Sequence, residues 1–403
     1  MSDQLPLAGL KVLDLASFIA GPVATTVMGD YGAEVIKIEP PGEGDPHRKL
    51  GQAHSIPQHP VNFCWHLTNR NKRSIVLDLK HPEGRAAFDR LAASADVMVV
   101  NFPLKVRERL RMRYSDVAPL NPRLIYASMT GYGESGPDAE QPGFDSTAFF
   151  ARSGLLDALT YEGGPPAFSL PAQGDQMTGM NLFAAIVMAL MHRERTGKGS
   201  EVGTSLHASG LWSNALLAQG ALLGAYVAPR PPRNTPRSAL ANQYKTADGR
   251  WIQLTIVRED KLWPELCQAI ERSDLLADPR FQTTESRRAH ATQLAAILDP
   301  VFAARPWLDW RTRLRKHEIT FGLFGMLRDV PGDEQAVANG AVVDSTVEEM
   351  PRTITAPIRL SFAPTPVDAG PAPALGQHTD EVLKELGYDS AGIDRLRRAG
   401  ALG

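Results

Sequence analysis

An acid at the start of a helix is the residue of this chain with the clearest chemical potential. Asp175 stands in Pro171-Ala-Gln-Gly-Asp-Gln-Met-Thr-Gly-Met180, directly before a long apolar stretch, where the pattern puts it at an N-cap. A carboxylate there accepts hydrogen bonds from the first amides of the helix, which is a sufficient structural reason for an aspartate. The same surroundings suit a nucleophile: amides and the positive helix end keep the carboxylate ionised and stabilise an oxyanion, and Gly174 leaves space for a ligand carbonyl. An accessible carboxylate so held can attack a thioester.

Other chemistries lack their residues. The first strand-to-helix turn, Ala16-Ser-Phe-Ile-Ala-Gly21, has none of the spaced glycines that admit a dinucleotide pyrophosphate. Glu39, at the end of the second strand, stands where such proteins hold a ribose, but alone it reads as a solvated acid. There is no phosphate-cradling Gly-x-x-x-x-Gly-Lys-Ser/Thr run, no Gly-x-Ser-x-Gly elbow, and no ligand-like spacing among the ten histidines, so no metal site is expected. Cys64 and Cys267 are too few for a disulfide framework or thiolate zinc site and read as small apolar residues.

The elements that must position Asp175 follow from apolar runs and punctuation. Lys11–Leu15 reads as a buried strand, Pro22 opens a helix that Gly32 closes, and Glu34–Ile38 is the next strand. Further strands at 95–100 and 123–128 alternate with helical stretches such as 82–93, which predicts a parallel sheet flanked by helices. The long helix is expected from Gln176 to about Arg195, closed by Thr196-Gly-Lys-Gly199, with a second from His207 to about Tyr226. Residues 227–236 hold four prolines in ten positions and mark a domain boundary. Beyond it, Tyr244–Leu254 reads as a hairpin with an Asp-Gly turn, and helices at 262–270 and 286–298 complete a smaller domain. A second proline-rich stretch, 363–373, leads to a terminal helix at 379–386. The fold class is α/β: a doubly wound, Rossmann-like large domain, 1–226, with a smaller α+β domain, 227–330.

With 403 residues, 43% of them hydrophobic and 22% charged, the chain suits a globular protein with a sizeable core. Lys and Arg total 43 against 45 Asp and Glu, so no global excess of positive charge favours nucleic acid or an anionic membrane as partner. Neither a signal peptide nor a bilayer-length apolar run is visible, and a cytoplasmic location is expected.

Several segments in order resemble the class III CoA-transferases, which include formyl-CoA and crotonobetainyl-CoA transferases. They are Pro6–Leu15, Ala20-Gly-Pro22, Gly32–Glu39, Asn71–Lys80, Asp96–Phe102, Asn121–Ala127 and Gly376–Leu383, spread over nearly the whole chain. The resemblance implies that Asp175 is the nucleophile, with CoA thioester as co-substrate, a small organic acid as acceptor and no tightly bound cofactor. It places Ile19, Ala20, Leu77, Lys80, Asn101, Phe102, Arg109 and Asp145 against CoA; Lys80 and Arg109 are sensible types for phosphate. It also implies a homodimer of two interlocked rings, with residues 331–403 returning to the large domain.

Departures bear on the substrate. Ile19 stands where the formyl-CoA enzymes carry glutamine, and Arg237-Ser-Ala-Leu-Ala-Asn-Gln-Tyr244 lacks their glycine run. A larger acid than oxalate is expected, with Arg237 or Asn242 available to hold a second polar group. The α-methylacyl-CoA racemases resemble this chain too, but their histidine proton donor corresponds to Phe144 in Gly143-Phe-Asp145, which cannot transfer a proton. A non-catalytic acyl-CoA-binding protein is the remaining alternative.

Overall fold

Short apolar strands without polar alternation need cover on both faces. The computed structural model, which describes residues 5–54, 56–364 and 370–402, arranges them in a parallel sheet of six strands. These are β1 (Lys11–Asp14), β2 (Glu34–Glu39), β3 (Lys72–Val76), β4 (Val97–Val100), β5 (Ile125–Thr130) and β6 (Ser200–Ser205), in the order β3-β2-β1-β4-β5-β6. β1 and β4 are neighbours in space but not in sequence, so the chain turns away from their junction in opposite directions. That leaves a crevice at the carboxyl ends of the two strands, the usual ligand position in such sheets.

Four helices of the first half matter to the site: α1 (Ala20–Asp30), α2 (Phe63–Asn69), α3 (Pro82–Ser94) and α4 (Leu104–Arg109). Asn62 caps α2 by accepting from the Trp65 amide, and α3 starts with Pro82 after a His81 cap. α3 covers one face of the sheet, burying Phe88 and Leu91 against Leu13, Ile36 and Met98. The opposite face is covered by α1 and the long helix Gln173–Thr196, which buries Leu182, Ile186 and Ala189. These two helices approach closely: a Cβ on Gly179 would lie 2.6 Å from the Val23 side chain and 2.7 Å from the Ala20 carbonyl oxygen. The long helix closes at Gly197, which adopts the left-handed conformation with φ 74°.

The C-terminal residues dock on the α3 face through helices Thr379–Glu385 and Ser390–Arg398, which bury Val382, Leu383, Ile393 and Leu396. β3 and the chain just after it hold them by main-chain bonds, His378 N–H to the Ser74 carbonyl and Asp78 N–H to the Ala401 carbonyl, both 2.9 Å. Arg73 adds ion pairs to Glu34, Glu381 and Glu385.

By contact density the described residues of Met1–Asp157, Phe168–Val227 and Glu334–Gly403 form one unit, and Ala158–Ala167 with Ala228–Asp333 form another. The stretch 158–167 is continuous in sequence with the first half, yet it clusters with the second unit. That unit carries an antiparallel sheet of Gln243–Lys245, Trp251–Leu254 and Phe321–Leu323. Gly249, at φ 76°, supplies the turn of its hairpin. Helices Glu259–Ala269, Ala291–Ala303 and Trp307–Lys316 enclose an aromatic core in which Phe302 stacks on Tyr244 and packs against Trp310, both centroid distances being 4.8 Å.

Three expectations are corrected. The long helix begins at Gln173, not Gln176, because Ala172 takes the left-handed conformation (φ 62°) and turns the chain into the helix three residues early. The second helix is broken at Asn214 into Leu206–Ser213 and Ala215–Leu222. Glu39 is not solvated: its buried carboxylate accepts two bonds of 2.7 Å from Arg48 and one of 2.6 Å from Ser74. Among the described residues, no helix is long and apolar enough to cross a membrane.

Candidate active site

The crevice between β1 and β4 is roofed by the loop from Leu15 to Ile19, and buried charges fix that loop from below. Asp14 lies 2.8 Å from Lys72 and 3.8 Å from Lys37, and Lys37 bonds Asp45 at 2.8 Å. Lys37 also donates to the Ala16 carbonyl, and Asp45 accepts from the Phe18 amide at 3.0 Å. Burial works to raise the Asp14 carboxyl, but the two ammonium groups outweigh it and hold it below the ordinary carboxylate range. Burial pushes Lys72 down to about 8, with the Asp14 charge opposing. None of these loop supports was read as part of the site from the sequence. The signal was a charge inside each of two otherwise apolar strands, Asp14 and Lys37, since a strand covered on both faces must pair any charge it carries.

Asn101, at the end of β4, completes the loop's support. Its carboxamide accepts from the Ser17 amide and donates to the Ser17 carbonyl, both at 2.8 Å. The result is a held turn in which Phe18 sits at φ 62°, a conformation that costs a non-glycine residue about 1–3 kcal/mol.

Asp175 faces a cavity of about 230 Å³ beneath this loop, shared with Phe18, Ile19, Ala20, Asn101, Phe144 and Asp145. Because the helix begins at Gln173, Asp175 is in its first turn rather than at the cap, and its carboxyl has no hydrogen-bond partner among the described residues. The expectation of an ionised, amide-held carboxylate is corrected: burial, with the Asp145 charge adding to it, pushes Asp175 up to about 7. Asp145 is itself raised by burial, and the amides of Ser146, Ala172 and Gly174 work against that. Its Oδ2 is buried and completes no hydrogen bond. The space expected at Gly174 is also filled, since a Cβ there would lie 2.6 Å from Cγ of the buried Phe149 ring. Gly174 therefore serves packing. Two helix N-termini border the cavity, that of α1 after Ile19 and that of the long helix after Ala172, and neither has a side-chain cap. The first amides of α1, Ala20 and Gly21, are available to an anion, while the Gly174 amide of the long helix acts on Asp145.

The remaining expected contact residues fall into two groups. Leu77, Lys80 and Phe102 line a second cavity of about 310 Å³, which meets the Asp175 cavity at Ser17. Lys80 is exposed there, whereas the Leu77 side chain belongs to the core. Arg109 lines neither cavity; it is exposed at the end of α4, next to Leu110, which does line the second. Arg237 and Asn242 lie in the smaller unit. There Arg237 donates to the Ala228 and Pro229 carbonyls, and the buried Asn242 amide donates to the Arg233 carbonyl. Among the described residues, no group of three or more His, Cys, Asp or Glu side chains could hold a metal ion.

A doubly wound sheet with an unpartnered carboxyl and an open helix end at its switch point is the architecture of an α/β enzyme, and such a site suits acyl transfer. The family model for CoA-transferase family III matches residues 7–379, and the chain belongs to that family. The (R)-2-hydroxy-4-methylpentanoate CoA-transferase of Clostridioides difficile is 34% identical over 393 residues, covering 97% of this chain and 98% of that protein. Cinnamoyl-CoA:phenyllactate CoA-transferase of Clostridium sporogenes is 33% identical over 398 residues, covering 97% and 96%. The crystal structure of a CaiB/BaiF family protein from Brucella suis matches with a TM-score of 0.84 at 31% identity, covering 95% of this chain and all of that one.

Proposed function

We propose that this enzyme transfers coenzyme A from an acyl-CoA to a free carboxylic acid through covalent intermediates on Asp175. The observation that carries the reading is the unpartnered Asp175 carboxyl in a cavity bordered by two uncapped helix N-termini. An ionised Asp175 oxygen attacks the thioester carbonyl; a C–O bond forms, the C–S bond breaks, and CoA leaves as thiolate from a mixed anhydride. The thiolate attacks the aspartyl carbonyl and expels the donor acid as carboxylate, leaving an aspartyl-CoA thioester. The acceptor carboxylate attacks that thioester, and the released thiolate takes the new acyl group, regenerating the Asp175 carboxylate. No net proton is consumed. Each step passes through an oxyanion, which the open amides at the start of α1 are suited to stabilise.

In this reading the thioester end of CoA occupies the Asp175 cavity beside Ile19, Ala20 and Asp145, and the remainder passes Ser17 into the cavity of Leu77, Lys80 and Phe102. Lys80 then meets phosphate. Arg109 at the exposed end of α4 is a further candidate for phosphate, while Asn101 acts by holding the loop. Phe144 offers no proton to the carbon beside the thioester, which disfavours racemisation. We further propose a homodimer, supported by large apolar side chains left open on residues 206–226, and that its two rings interlock, as the family resemblance implies. The free thiols Cys64 and Cys267 suit a reducing, cytoplasmic setting.

The test is chemical trapping. Hydroxylamine or borohydride added during turnover should modify Asp175, read as a mass shift in its tryptic peptide, only when donor acyl-CoA is present. Asp175→Ala should retain CoA binding and lose transfer. Transfer at near wild-type rate in that variant would remove the mechanism.

A further inference from the structure

The Asp175 cavity does not end at the thioester position. Ile19, Leu50, Ile56, Pro171 and Ala172 form its wall and also the wall of an adjoining pocket of about 260 Å³. That pocket is closed on its far side by Phe63, Cys64 and Leu67 of α2. These three side chains are only partly buried, whereas Trp65, His66 and Asn69 of the same helix are buried and line no part of the pocket. One face of α2 thus serves the core and the other serves the pocket.

The polar atoms of the pocket carry no charge that could meet an anion. No lysine or arginine lines it. His47 is 1% exposed, with Nε2 2.9 Å from the Cys64 carbonyl and 3.2 Å from Thr68 Oγ1. Its Nδ1 has no partner, and burial lowers the ring's affinity for a proton, so it offers a neutral acceptor. Gln176 contributes a neutral amide. A second carboxylate placed here would lose its water with no cation to replace it. An apolar group would gain by the same exclusion of water. A cavity of about 150 Å³ suffices for a benzene ring, so the present volume takes a ring with a short linker or a branched chain.

Resting on the transferase reading, we infer that this pocket receives the side chain of the transferred acyl group, and that the substrates are monocarboxylic acids with an aryl or branched aliphatic side chain. Phe63, Cys64 and Leu67 set the size limit.

The experiment pairs a specificity profile with a readout that needs no turnover. With acetyl-CoA as donor, 3-phenylpropanoate and 4-methylpentanoate should exceed glutarate in kcat/KM at least tenfold. Leu67→Trp should lower the ratio of kcat/KM for 3-phenylpropanoate to that for propanoate at least tenfold. In wild-type protein, 3-phenylpropanoyl-CoA should slow alkylation of Cys64 by N-ethylmaleimide at least fivefold more than glutaryl-CoA or free CoA does, read by peptide mass. A preference for glutarate, or an unchanged ratio in folded Leu67→Trp, overturns the inference. If that variant does not fold, equal protection of Cys64 by the three CoA compounds overturns it and selective protection sustains it. Absence of transfer to any acid from acetyl-CoA and from 3-phenylpropanoyl-CoA alike would instead defeat the transferase reading, and the Cys64 result would still decide the pocket.

Discussion

Burial and the neighbouring Asp145 charge hold the Asp175 carboxyl at about 7, so near neutral pH a substantial share of it carries a proton. A nucleophilic carboxylate must be ionised, and kcat/KM should therefore fall on the acid side with an apparent pKa near that value. Asp145→Asn removes one of the two causes and should move the acid limb to lower pH, though not to that of a free aspartate, because burial is the larger cause and remains. An unmoved limb in the pH profile would show that Asp145 does not act through its charge. Stability carries the opposite sign. The folded state binds the Asp175 proton more tightly than the unfolded chain, so stability is lost as pH rises from the unfolded value of 3.8 through about 7. Asp175→Asn should stabilise the protein at pH 8 by on the order of 1–3 kcal/mol and by little at pH 4, measured by urea unfolding. Asp175 itself was legible as an acid beside a glycine at the head of an apolar run. Its environment was not, because Ala172 at φ 62° sets where the helix begins and no residue in Ala-Gln-Gly announces a left-handed alanine. The role of Asn101 was equally hidden, since its partner Ser17 lies 84 positions away.

At the level of elements, the site depends on how tightly the first turn of the long helix is seated. Gly174 lies against Phe149, itself packed on Phe150 at a centroid distance of 5.2 Å, so any side chain at 174 must displace a buried ring. Gly174→Ala should destabilise the protein by about 1–3 kcal/mol and lower kcat, since Asp175 is the next residue along. Adding Phe149→Leu to that variant should recover part of both losses, read as a favourable coupling in a double-mutant cycle of melting temperature and kcat. Strands β1, β2, β4 and β5 were readable because their apolar runs have no polar alternation. Strand β6 was missed for the complementary reason: Ser-Glu-Val-Gly-Thr-Ser at a sheet edge buries little and resembles a loop. The helix break at Asn214 was hidden too, as apolar residues continue on both sides of it.

At the scale of the whole molecule, the chain leaves more apolar surface open than a soluble monomer needs. Trp212 is 75% exposed, Leu216 88%, Leu222 80% and Tyr226 84%, all within one short span of the larger unit. Large contiguous apolar patches mark association sites, and a second copy is the partner proposed above. Light scattering on the purified protein should therefore give twice the chain mass of 43.8 kDa. A face-to-face dimer and an interlocked one differ in how they come apart. In a face-to-face dimer the subunits separate by breaking the interface alone, so Trp212→Ser with Leu216→Asp should yield monomers, and labelled and unlabelled dimers should mix. Interlocked rings can separate only when one chain unfolds enough to be withdrawn, so the barrier to exchange is that of unfolding rather than of dissociation. Mixing nitrogen-15-labelled and unlabelled protein should then give no mixed dimer by native mass spectrometry over a day at 25 °C, even for the double variant. Unfolding the mixture in urea and refolding it should give the statistical proportion. Mixed dimers formed without denaturant would sink the interlocked arrangement while leaving the dimer, and monomeric wild-type protein would sink both.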